Sequence, residues 1–99
     1  MFVMISYDVP AKRTGVYRKL LREFLVHEQA SVFMGDLPES EIIKLVARIS
    51  ECIGPEDQVL KVTCRNRHNV MVERLGKDAL GGPMRQEKDR WHGEDWSIL

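Results

Sequence analysis

Nothing in these 99 residues is apolar for anything near the roughly 20 consecutive positions that a membrane-spanning helix requires. The opening apolar stretch runs at once into Tyr7 and Asp8, so no secretory leader is expected, and the chain reads as soluble and cytoplasmic, with no membrane partner. Cysteine is scarce. Cys52 and Cys64 lack metal-binding spacing and are expected to stay reduced and pack as small hydrophobes. His27, His68 and His92 are scattered and bring no second ligand at metal spacing, so each reads as a surface or packing histidine. There is no internal repeat, no glycine-rich phosphate loop and no nucleophile beside a base, which removes the commonest nucleotide-binding and covalent-catalysis classes. Net charge is missing too, with 15 basic and 15 acidic residues, but the balance hides a segregation. Lys12, Arg13, Arg18, Lys19 and Arg22 crowd the first quarter. Glu28, Asp36, Glu39, Glu41, Glu51, Glu56 and Asp57 dominate the middle, and Lys61, Arg65, Arg67, Arg74 and Lys77 follow.

What is present begins with Phe2-Val3-Met4-Ile5-Ser6-Tyr7-Asp8-Val9, a continuous run of strand formers that is satisfied only in the middle of a sheet. It ends in a carboxylate. Asp8 gains nothing from apolar neighbours, so it belongs at the strand's mouth with water, a donor or a cation. Two readings stand: a turn former leading into Pro10, or a functional carboxylate.

Beyond Pro10 comes a loop, with Thr14 as a candidate cap for a helix whose Val16, Leu20, Leu21, Phe24 and Leu25 share one face. Arg18 and Arg22, four apart, are neighbours on another face. With Lys12 and Arg13 at the same end they form either a solvated helix surface or a strip that tracks phosphates. Gln29 to Met34 reads as a second strand, and Leu37-Pro38-Glu39-Ser40 opens a second helix with an apolar stripe of Ile42, Val46, Ile49 and Ile53. Val59 to Cys64 and Val70 to Leu75 are further strands, joined by the basic turn Arg65-Asn66-Arg67-His68-Asn69. This order gives a two-layer α+β domain, with both helices on one face of an antiparallel sheet. A ferredoxin-like version needs one more strand between the helices, and the sequence offers only one long bent strand with a bulge near Gly35. The domain is expected to span residues 1–75, and 76–99 to be a tail with a joint at Gly76, Gly81, Gly82 and Pro83. The apolar Trp96-Ser97-Ile98-Leu99 is expected to dock on a partner.

Three features together resemble the CRISPR-associated protein 2 family: the strand ending Tyr7-Asp8-Val9-Pro10, the basic helix from Gly15 to Leu25, and Gln29-Ala30-Ser31-Val32-Phe33-Met34-Gly35-Asp36-Leu37 before an amphipathic helix. The resemblance covers residues 1–75. It implies a ferredoxin-like fold, a homodimer, and an aspartate at the end of the first strand that binds a divalent metal, a position held here by Asp8. It also implies one of two roles. One is a metal-dependent endonuclease on RNA or DNA; the other is a bridge that joins two CRISPR integrase dimers across a spacer duplex.

The chemistry of each role can be weighed. Two Asp8 carboxylates brought close by a two-fold axis would recruit a cation, and Mg²⁺ suits two carboxylates, water and a substrate phosphate. No general base or further acidic ligand lies near Asp8 in the sequence, so hydrolysis through it is expected to be slow. A bridge asks only for cations, and a dimer doubling Lys12, Arg13, Arg18, Arg22, Arg65 and Arg67 would hold duplex DNA or RNA without reading its sequence. A third role, stacking single-stranded RNA on Phe2, Tyr7 and Phe33, offers few rings.

Overall fold

The computed structural model describes residues 1–77 and 84–90, by backbone alone at 74, 76, 77 and 84–90. Strand β1 (Phe2–Asp8) is central in a four-stranded antiparallel sheet of order β2-β3-β1-β4. The run of apolar residues at both parities is explained by that place, because both of its faces are covered. Val3, Ile5 and Tyr7 point to the helices, while Phe2 and Met4 point the other way, toward Val72 and Cys64.

A short 3₁₀ turn (Ala11–Arg13) leads into α1 (Thr14–Leu21). Thr14 does not cap this helix. Its hydroxyl donates to the Ala11 carbonyl at 3.0 Å, because the chain is already coiling one turn earlier. The buried face of α1 is Tyr17, Leu20 and Leu21, while Val16 is 43% exposed, so the stripe is centred one residue later than the sequence suggests. Leu25 is buried just past the helix end, in the same core.

The expected long strand is in fact a hairpin. Strands β2 (Val26–Gln29) and β3 (Val32–Asp36) reverse at Ala30, whose φ of 40° is left-handed. His27 Nε2 lies 2.7 Å from the Ala30 carbonyl oxygen and closes the turn. The irregularity falls between His27 and Gln29, not at Gly35, so the additional strand comes before the Gln29–Met34 run rather than after it. Gly35 sits inside β3, opposite Val3, where a Cβ would come within 2.7 Å of Leu25 Cδ2. There the glycine permits a close approach and makes no bulge.

Helix α2 (Glu39–Cys52) starts after Pro38, with Glu39 and Glu41 near its unpaired amides. It buries Ile42, Leu45 and Ile49, leaving Val46 and Ile53 half exposed. Leu45, fully buried with Tyr17, Leu21, Ile5 and Phe33, is in the middle of the core between the helices and the sheet. Burial of each such side chain stabilises the fold by about 1.5–3 kcal/mol.

Strand β4 (Gln58–Cys64) lies along β1 at the sheet edge. After a second 3₁₀ turn (Arg67–Asn69), β5 (Met71–Lys77) leaves that sheet and pairs with β6 (Met84–Arg90) instead of with β4. The boundary expected at Leu75 is therefore crossed by a strand, whose partner comes from the expected tail. Gly81, Gly82 and Pro83 of the expected joint, His92 and Trp96-Ser97-Ile98-Leu99 lie outside the described residues.

Candidate nucleic-acid and metal site

Asp8 ends β1 opposite Gln58, the first residue of β4, and its side chain is exposed. Among the described residues it has no side-chain partner. A hollow of about 220 Å³, lined by Ser6, Tyr7, Asp8, Gln58, Val59 and Leu60, opens beside it. No group of three or more His, Cys, Asp or Glu side chains placed to hold a metal ion occurs among the described residues. Asp8 is thus the one carboxylate among the residues lining this hollow. A carboxylate without a competing donor fits a hard divalent cation, and a second Asp8 from a two-fold partner would double the charge.

The basic residues separate into two groups. Lys12 lies in the 3₁₀ turn at the Asp8 end, Arg18 is on α1, and Arg22 follows just past its C-terminus. All three are exposed and make no ion pair among the described residues. Arg65 and Arg67 follow Cys64, which pairs with Phe2 at the other end of β1, about 20 Å from Asp8 at the usual strand rise. Arg67 is engaged with Asp36, which also takes the Met1 amine at 2.7 Å. Burial would raise the Asp36 carboxyl, but those two cations outweigh it and hold Asp36 below the ordinary carboxylate range.

Arg13 turns inward, away from the others. Its Nε donates to Asp57 at 3.0 Å, its Nη2 donates to the Cys52 carbonyl, and its guanidinium carbon lies 6.0 Å from the Tyr17 ring centre. Asp57, whose side chain is fully buried, also accepts from the Tyr17 hydroxyl at 2.7 Å and the Gly54 amide at 2.9 Å. Burial pushes the Asp57 carboxyl up, and these donors together pull it below its usual value. The Tyr17 phenol moves up, first from burial and then from its bond to Asp57.

Sequence reasoning found Asp8, Lys12, Arg18 and Arg22 as exposed groups but missed Asp57 and Tyr17. The available signal was the i, i+3, i+4 spacing of Tyr17, Leu20 and Leu21. It buries a phenol, and a buried phenol needs a partner.

A family model described as CRISPR associated protein Cas2 matches residues 1–72. A protein of Haloferax volcanii named CRISPR-associated endoribonuclease Cas2 is 43% identical over 68 residues, covering 69% of this chain and 79% of that one. A Methanosarcina acetivorans protein of the same name is 36% identical over 77 residues, covering 77% and 88%. The solved structure titled "Crystal structure of cas2" superposes with a TM-score of 0.60 at 34% identity, covering 63% of this chain and 71% of that one. The Streptococcus pyogenes Cas2 structure at pH 6.5 gives 0.59 at 24% identity, covering 65% and 86%, a likeness of fold.

Proposed function

The chain belongs to the CRISPR associated protein Cas2 family, and from that premise we propose that two copies of it hold a nucleic-acid duplex by its phosphates during CRISPR adaptation, bridging dimers of the CRISPR integrase. The observation that carries this reading is the set of exposed cations Lys12, Arg18 and Arg22, which make no ion pair among the described residues. A duplex presents a charge about every 1.7 Å of its axis, and guanidinium groups along one helix meet successive phosphates without contacting bases. Arg65 adds a second exposed cation site at the far end of the sheet, so that one chain reaches a phosphate backbone at two separated places. The two-fold pair is supported by apolar surface on β4 and β5. Leu60, Val62, Met71 and Leu75 are all more than 40% exposed, and a second chain would cover them.

A second reading is favoured by Asp8 itself, an exposed carboxylate at a strand end with no side-chain partner among the described residues, and by the endoribonuclease names of the relatives. In it the two Asp8 side chains of the pair hold Mg²⁺, which on binding would neutralise phosphate charge and make water a better nucleophile. Asp8 would hold the cation, while Lys12, Arg18 and Arg22 would hold the substrate backbone by its phosphates. The residues lining the hollow beside Asp8, Ser6, Tyr7, Gln58, Val59 and Leu60, include no second carboxylate and no histidine.

Duplex titration of Arg18→Ala with Arg22→Ala tests the main reading. Removing two phosphate contacts per chain should weaken binding at least tenfold at low salt and flatten the slope of log affinity against log salt by about 2 per chain, alike for unrelated sequences. Light scattering on the same samples should show a dimer before and after the change. Unchanged affinity and slope would return the two arginines to plain solvated surface, and a monomer at micromolar concentration would remove the two-fold arrangement.

A further inference from the structure

Asp57 is a fully buried carboxylate that neither phosphate binding nor metal binding uses directly, yet it connects to Asp8 by three separate paths. Along β4, the next residue, Gln58, is the register partner of Asp8, so the position of Asp57 sets where the edge strand begins beside the Asp8 carboxylate. Through the core, the Tyr17 hydroxyl donates to Asp57, and the Tyr17 ring stacks at 5.3 Å on Tyr7, which immediately precedes Asp8. Through the loop, Arg13 ties the end of the Val9–Arg13 segment that leaves Asp8 to Asp57 and to the Cys52 carbonyl. The Gly54 amide completes the set of donors, so the carboxylate is satisfied from the loop, from α1 and from the α2–β4 connection at once.

We infer that Asp57 is a positioning residue for Asp8: with Arg13 and Tyr17 it fixes the strand before, the loop after and the strand beside the exposed carboxylate. This rests on the reading that Asp8 holds a divalent cation. The reason for such a device is physical. A lone carboxylate at a strand end samples many orientations, and a cation needing oxygen ligands at set directions binds more tightly when that freedom has already been removed. Satisfying a buried carboxylate from three groups, Arg13, the Tyr17 hydroxyl and the Gly54 amide, also makes the knot rigid, because displacing any one donor leaves a buried group unpaired.

The test is Mn²⁺ binding followed by electron paramagnetic resonance on the full chain, as wild type, Asp8→Asn, Asp57→Asn and Tyr17→Phe. Amide hydrogen exchange at Asp8 and Val9 and duplex affinity are measured alongside. Wild type should bind Mn²⁺ and Asp8→Asn should not. Asp57→Asn and Tyr17→Phe should bind about tenfold more weakly, the low end of what outer-shell partners contribute, with faster exchange at Asp8 and Val9 and duplex affinity unchanged. Tyr17→Phe keeps the ring stack and removes only the hydroxyl, so it decides the matter if Asp57→Asn does not fold. A folded Tyr17→Phe with wild-type Mn²⁺ affinity and exchange would overturn the positioning role while leaving Asp8 as the metal ligand. Absence of Asp8-dependent Mn²⁺ binding in the wild type would overturn the metal reading, and this inference with it.

Discussion

Asp57 and Tyr17 make the stability of this chain sensitive to pH at both extremes. The folded Asp57 carboxyl lies below its ordinary value because the Gly54 amide, the Tyr17 hydroxyl and Arg13 outweigh its burial. A depressed carboxyl stabilises the fold above its unfolded value, near 4, and that contribution is lost as pH falls through the folded value. Asp36, held down by the Met1 amine and Arg67, acts in the same direction. Tyr17 is the opposite case. Its phenol is raised above 10.0 by burial and by Asp57, so its contribution is complete below pH 10 and declines as pH rises through the higher folded value. Thermal melts from pH 7 downward should therefore show the melting temperature falling steeply below about pH 4. Asp57→Asn should melt lower at neutral pH but show a shallower acid limb. An acid limb identical in slope to the wild type would mean that Asp57 is not the group being titrated.

At the scale of elements, β1, α2 and β4 were legible because apolar runs and a 3.6-residue stripe specify them with little competition. The β2–β3 hairpin was not. Its turn has no glycine, proline or asparagine, and Ala30 adopts a left-handed φ that no alanine advertises in a sequence. The pairing of β5 with β6 was hidden for another reason: β6 reads Met84-Arg85-Gln86-Glu87-Lys88-Asp89-Arg90, which has almost no strand propensity. The candidate site was half legible. Asp8, Arg18 and Arg22 announce themselves by charge next to apolar runs, whereas Asp57 looked like one of many acids in an acidic middle stretch. Gly35 offers the sharpest test of the hairpin. Its missing Cβ lets β3 pass against Leu25, with Leu25 Cδ2 only 2.7 Å from where a Cβ would stand. Gly35→Ala must displace the buried Leu25 side chain and should cost about 1–3 kcal/mol in denaturant unfolding. A neutral substitution would show that Leu25 has room to move and that the close approach is dispensable.

Across the whole molecule, charge and apolar surface are laid out separately. Exposed Lys12 stands in the 3₁₀ turn at the Asp8 end, Arg18 on α1 and Arg22 just past its C-terminus, Arg65 follows β4 at the other end of β1, and exposed apolar side chains lie on β4 and β5. No helix among the described residues is long and apolar enough to cross a membrane. The role proposed for this chain is to hold a duplex in CRISPR adaptation, with any cleavage at Asp8 secondary. The direct measurement is spacer integration by the reconstituted integrase complex, with and without Mg²⁺ in the duplex-binding step, comparing wild type with Asp8→Asn. That substitution keeps the shape of the side chain and removes the charge that a cation needs. Integration within about twofold of wild type, with any nuclease activity of the isolated protein abolished, is the predicted result. An Asp8→Asn chain that stays dimeric, binds duplex and integrase normally, and fails to support integration would contradict the account.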